Sequence, residues 1–186
     1  MCREKSSRNV EKPLLEIGGA KMLDLVIDAV KKSIIDEFFV ALSPRTCETR
    51  RYCQEKGYNI TETEGRGYHE DITLLLKSNP VFVSLSCDTP FISSCAINDL
   101  VESYNGMSVT GCIPLENIPQ GVDPSYTLSY EGTLYVAVGA NIVTRSKNSE
   151  VFVFEDPLLG INVNNLEELE LAKEYYLLLG EKSLRT

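Results

Sequence analysis

The chain has 186 residues, with 27 acidic against 18 basic side chains, a formal charge of −9, 43% hydrophobic and 24% charged residues. That length and balance predict a single globular domain over 1–186 with its own core. The negative excess and the lack of a basic stripe with interleaved aromatics argue against nucleic acid as a partner. No apolar run approaches the ~20 residues of a membrane span, and the polar start MCREKSSRN lacks the apolar core of a secretory signal, so a cytoplasmic location is expected.

The six cysteines include no CxxC pair and the only histidine is His69, which argues against a structural zinc site. Free thiols are the expectation in a reducing compartment. Cys87 and Cys112 sit in apolar runs and read as core filler. Nothing in the sequence places a thiol beside His69 for a nucleophilic pair.

In chain order, Lys12 comes first, between Glu11 and Pro13. A lysine on a backbone fixed by proline suits a point charge on phosphates, although most surface lysines do nothing. Lys21–Ile34 carries Met22, Leu23, Val26, Ile27, Val30 and Ile34 at helical spacing. Glu37–Leu42 reads as a short buried strand. Ser43-Pro44-Arg45-Thr46 follows it, then a helix over Thr46–Lys56 stopped by Gly57. Tyr58–Thr61 reads as a strand. Gly65-Arg66-Gly67 opens a helix over Tyr68–Ser78, and its amides suit either close approach of a ligand or an ordinary turn.

Val81–Ser86 reads as a strand, Ser94–Tyr104 as a helix and Ser108–Pro114 as a strand. Residues 115–132 read as a loop or hairpin. Thr133–Val138, Val151–Glu155 and Leu159–Val163 are strand candidates. Asn165–Leu179 reads as a terminal helix with Asn165 as N-cap and Glu167 and Glu168 in its first turn. This alternation predicts an α/β fold with three layers, a mostly parallel Rossmann-like sheet and helices on both faces.

Ligands of such sheets bind beyond the carboxyl ends of the strands. Asp88 lies there, in Ser86-Cys87-Asp88-Thr89-Pro90-Phe91. A carboxylate so placed wants a positive partner, and magnesium with a bound phosphate is the usual one. The alternative is a cap for the helix near Ser93 and Ser94, which those serines can supply themselves. Asn162 and Asn164 alternate in a segment where asparagine is disfavoured, so both face one side of an extended chain. An amide oxygen is a neutral magnesium ligand; one asparagine of the 164–165 pair must instead cap the following helix.

These pieces resemble the nucleoside-triphosphate transferase family that includes the molybdenum-cofactor guanylyltransferases. The matching elements are EKPLLEIGGAKMLDLVIDAV (11–30), SPRTCET (43–49), GRGYHEDI (65–72), VFVSLSCDTPFIS (81–93), YVAVGANIV (135–143) and INVNNLEELELAKE (161–174). SPRT, GRGY and VGANIV resemble the branch of archaeal GTP:adenosylcobinamide-phosphate guanylyltransferases. The resemblance implies the nucleotide-diphospho-sugar transferase fold. It also implies transfer of GMP from GTP to adenosylcobinamide phosphate, with release of pyrophosphate and with magnesium as cofactor. Lys12 and Asp88 match the catalytic positions, with Lys12 on the nucleotide phosphates. Asp88, Asn164 and its neighbour Asn162 match the metal site. Ser43, Gly65 and Gly67 fall around the nucleotide, and Gly139 and Asn141 where the second substrate approaches. A molybdopterin or sugar phosphate acceptor, or a non-catalytic nucleotide-binding remnant, are the other readings. A homodimer is compatible with all of them.

The family begins with a central strand and a glycine-rich phosphate loop. Here Lys5, Ser7 and Arg8 can be laid on that loop, while Arg3 and Glu4 fall on its double glycine. At ~4 Å two like unit charges repel by about 4 kcal/mol at an effective dielectric of ~20. Glu4 in that place therefore predicts weakened triphosphate binding. The sheet is expected to lack the usual first strand or to fill its slot otherwise; the other reading is that the working protein begins upstream.

Overall fold

A computed structural model of the chain describes residues 10–124 and 126–183. Its centre is helix α1 (Met22–Lys31). Met22, Leu23, Val26, Ile27 and Val30 recur every three or four residues, and all five are buried. Val26 and Val30 join Val138, Ala140 and Ile142 in the largest apolar cluster. Met22 packs with Ile161, Val163, Leu169 and Ala172. Leu23 and Ile27 pack with Leu42 and Cys53. Each such aliphatic side chain, fully buried, contributes roughly 1.5–3 kcal/mol. One helix face thus holds three parts of the molecule together.

Before α1, β1 (Glu16–Ile17) and β2 (Ala20–Lys21) form a small antiparallel hairpin. After it, β3 (Val40–Leu42) pairs in parallel with β4 (Ile60–Glu62) across helix α2 (Cys47–Lys56). Helix α3 (Tyr68–Ser78) leads to the larger sheet. That sheet has the order β5 (Val81–Leu85), β8 (Thr133–Thr144), β6 (Ser108–Pro114), β9 (Ser149–Val153), with β7 (Thr127–Tyr130) also paired to β8. Helices α4 (Ser94–Glu102) and α5 (Leu166–Ser183) complete the elements.

Strand β8 runs antiparallel to β5, β6 and β7, and β6 runs parallel to β9. Four of the five strands therefore share one direction and β8 alone is reversed. Val138, Ala140 and Ile142 face the cluster that contains residues of α1 and α4. Asn141, on the opposite face of β8, meets Tyr68 of α3. The layered α/β fold with helices on both faces follows. Among the described residues no strand links β3 to β5. The small parallel pair and the larger sheet are separate, and α1 spans the two.

Several elements depart from the sequence pattern. Only Val40–Leu42 of the apolar run Glu37–Leu42 is strand, because β4 offers partners to those three residues alone, and Phe39 is exposed. Leu159–Val163 is not a strand. Pro157 starts a 3-10 turn over Pro157–Gly160, Asp156 caps it by accepting from the Leu158 amide at 3.0 Å, and residues 161–164 continue without pairing. Thr133–Val138 extends to Thr144, and the end of the 115–132 stretch, read as a loop or hairpin, supplies β7 as one arm of a hairpin whose other arm is β8. Cys47, Cys53, Cys95 and Cys112 are free thiols. Cys87 is buried as expected but is disulfide-bonded, not a free thiol.

Candidate active site

Strand β5 ends at Leu85, and the chain turns at Ser86-Cys87-Asp88-Thr89. The Ser86 amide donates to the Gly139 carbonyl at 2.8 Å. The Thr89 hydroxyl donates to the Ser86 carbonyl at 2.7 Å. The Ser86 hydroxyl donates to Asp88 Oδ1, which fixes the carboxylate at the strand end. Asp88 is not the cap of α4: Ser93 Oγ accepts from the Ala96 amide at 3.1 Å and does that work.

Gly139 has φ +74°, in the left-handed region. It lies where the register of β6 against β8 shifts, with Thr110 opposite Asn141 but Cys112 opposite Ala137. The extra residues of β8 bulge against β6, while the Ser86–Gly139 bond continues the regular β5–β8 register one step past Leu85 and Ala140. A β-carbon at Gly139 would stand 2.8 Å from that of Ser86.

The backbone carbonyl of Asp88 accepts from the Val163 amide at 2.9 Å. This bond seats the segment 161–164 beside the Asp88 turn. Ile161 and Val163 are each 1% exposed, so Asn162 and Asn164 turn to the other side, as period two predicts. Asn165 is the cap: its Oδ1 accepts from the Glu168 amide at 2.8 Å. Glu168 Oε2 accepts from the amides of Asn164 at 2.5 Å and Asn165 at 3.2 Å, closing a reciprocal capping box. That leaves Asn164 Oδ1 to accept from Lys12 Nζ at 3.4 Å. Lys12 thus meets Asn164 side chain to side chain, and the segment that carries Asn162 and Asn164 is bonded backbone to backbone to the Asp88 turn.

Ser43, Gly65 and Gly67 form a second group. A β-carbon at Gly65 (φ +65°) would lie 2.8 Å from that of Ser43, so the two loops touch. The Gly65 amide donates to Asp71 Oδ1 at 3.1 Å, and Asp71 is 3% exposed. Gly67 occupies the N-cap position of α3. Asn141 Nδ2 donates to the Tyr68 hydroxyl at 3.4 Å and links this group to β8. Lys5 and Arg8 lie outside the described residues.

Two carboxylates of this region, Glu11 and Asp71, had no role in the sequence reading, and Glu168 was read there only as a first-turn acid. Glu168 was legible, since Asn-x-x-Glu at a helix start is the spacing of a capping box. Glu11 and Asp71 were not, because their roles depend on tertiary neighbours. Among the described residues no three His, Cys, Asp or Glu side chains cluster as a metal site. The Asp88 turn offers one carboxylate, the segment bonded to it carries the amides of Asn162 and Asn164, and Asn162 Oδ1 is buried without a hydrogen-bond partner. Hard oxygen donors with few protein charges fit magnesium, which keeps waters and substrate phosphates in its shell.

The fold is that of the nucleotide-diphospho-sugar transferases. A CMP:2-keto-3-deoxy-manno-octonic acid synthetase complexed with CTP superposes with a TM-score of 0.69 at 17% identity, over 96% of this chain and 95% of that one. The 4-diphosphocytidyl-2C-methyl-D-erythritol synthase of Anaerococcus prevotii gives 0.66 at 15% identity, over 91% and 92%. The chain belongs to the MobA-like NTP transferase family, whose domain matches residues 4–120, and it is a nucleotidyltransferase. It is 28% identical over 183 residues to the adenosylcobinamide-phosphate guanylyltransferase of Methanocaldococcus jannaschii, covering 88% of each chain. Among the described residues no helix is long and apolar enough to cross a membrane.

Proposed function

We propose that this nucleotidyltransferase transfers GMP from GTP to adenosylcobinamide phosphate and releases pyrophosphate. The observation that carries the reading is that Lys12 meets Asn164 side chain to side chain, on the segment whose backbone is bonded to the Asp88 turn beyond the end of β5. The likeness to the M. jannaschii guanylyltransferase supports the choice of base and acceptor.

A phosphate monoester of the acceptor is largely ionised at neutral pH, with a second pKa near ~6. Its oxygen needs no protein base to attack. It forms a bond to the α-phosphorus of GTP while the bond from that phosphorus to the bridging oxygen breaks, and the electron pair leaves with pyrophosphate. The protein's share is positioning and charge stabilisation. Lys12 offsets charge on the triphosphate. Ser86 holds Asp88 in one orientation, and the Gly139 bulge holds Ser86. Ser43, Gly65 and Gly67 surround the nucleotide, and Asn141 lies toward the acceptor. Magnesium, when bound by Asp88 with Asn162 and Asn164, supplies charge neutralisation on the phosphate oxygens.

The test is transfer of label from α-labelled GTP, with CTP and ATP in parallel, to adenosylcobinamide phosphate, molybdopterin and a hexose 1-phosphate. Label on adenosylcobinamide phosphate from GTP alone is the expected result. Label on another acceptor, or from another nucleotide, reassigns the substrate. No transfer in any combination overturns the reading.

A further inference from the structure

Glu11 is 8% exposed, yet it sits beside Lys12 in sequence and makes no ion pair with it. Its carboxylate is spent elsewhere. Oε1 accepts from the Glu48 amide at 3.0 Å. Oε2 accepts from the Thr49 amide at 2.9 Å and from the Thr49 hydroxyl at 2.7 Å. Those amides belong to the first turn of α2, where a carboxylate also meets the positive end of the helix dipole. Thr46, at the N-cap position, makes no side-chain cap bond there, and its hydroxyl donates to the Ser43 carbonyl at 2.8 Å. Glu11 caps α2 in its place, from 38 residues away.

We propose that Glu11 is a positioning residue for Lys12, and this rests on the nucleotidyltransfer reading above. Glu11 anchors the chain one residue before the root of the Lys12 side chain, and buried Pro13 fixes the residue after it. The Leu14 amide closes the turn on the Glu11 carbonyl at 2.9 Å. The anchor is the helix entered from the Ser43 loop, so Glu11 also couples the Lys12 side of the site to the Ser43–Gly65 side. Because its carboxylate is taken up by α2, Glu11 does not pair with Lys12.

A buried cap that only stabilised α2 would act the same whether or not Lys12 were present. The test is therefore a double-mutant cycle on magnesium–GTP affinity by calorimetry, with melting temperature recorded alongside. Glu11→Ala should weaken binding about tenfold when Lys12 is present and less than about twofold in a Lys12→Ala chain, while lowering the melting temperature equally in both. Glu11→Gln, which keeps one oxygen acceptor, should restore most of the affinity; if Glu11→Ala does not fold, Thr49→Val, which removes the hydroxyl that donates to Glu11, carries the cycle. Tyr52→Phe, which removes a bond from α2 to Asp24, should lower the melting temperature and leave affinity unchanged. Equal losses in both Lys12 backgrounds, or no loss of affinity on a destabilised protein, overturn the role of Glu11 alone. Failure of the unaltered chain to bind magnesium–GTP overturns the nucleotidyltransfer reading and this inference with it.

Discussion

Ser86 and Gly139 are joined backbone to backbone, amide to carbonyl, at 2.8 Å, with no room between their α-carbons for a second β-carbon. The contact joins the turn that carries Asp88 to the bulge of β8. Gly139→Ala should strain this junction twice, by placing an alanine at φ +74° and by driving its methyl into Ser86. A left-handed conformation in a non-glycine residue costs about 1–3 kcal/mol. We expect a lower melting temperature and a larger relative loss of pyrophosphate release, measured by a coupled assay. A fully active, equally stable variant would show that the bulge does not place Asp88.

The capping box of α5 should be separable from chemistry. Removing an N-cap asparagine costs about 1 kcal/mol, so Asn165→Ala should lower the unfolding free energy measured in urea by that amount and leave activity nearly intact. Glu168→Ala should cost activity as well, because Glu168 also holds the Asn164 amide. Equal activity in the two variants would contradict a role for that bond.

Alkaline pH should loosen the join between α1 and the small parallel pair. Asp24 of α1 accepts from the hydroxyls of Tyr52 at 2.5 Å and Tyr58 at 3.1 Å. Burial and then the Asp24 carboxylate push the Tyr58 hydroxyl up to about 12, and Tyr52 is raised by burial and by its bond to Asp24. Burial also pushes the Cys53 thiol up to about 11. These groups prefer to stay protonated in the fold. Their contribution is complete below their unfolded pKa values, near ~10 for Tyr and ~8.5 for Cys. It is lost as pH rises through the folded values. Stability measured by chemical denaturation should fall between pH 9 and pH 12, and Tyr58→Phe should flatten that fall. A flat profile in the unaltered protein would contradict it.

Much of this was legible along the chain, and the misses have physical causes. Tyr68–Ser78 and Ser108–Pro114 form where their spacing places them, because each pattern is local and long enough. Asp88 at a strand end and Asn165 as a cap were readable for the same reason. The reversal of β8 was not, since period two is blind to strand direction. The short length of β3 depends on its partner, and the turn at 157–160 depends on Pro157 overriding an apolar run. Glu11 looked like an ordinary neighbour of Lys12 because its partners lie 37 and 38 residues on.

Asp88 is the carboxylate on which the proposed chemistry depends, and Ser93 rather than Asp88 caps α4, so the side chain can be changed without unfolding the helix. The decisive measurement is pyrophosphate release from magnesium–GTP with adenosylcobinamide phosphate, comparing the unaltered chain with Asp88→Asn. We predict a fall of about 10²–10³-fold in the variant, the range for losing one electrostatic contact to a transition state, with its melting temperature held. Release at the unaltered rate by a folded Asp88→Asn protein would contradict the account.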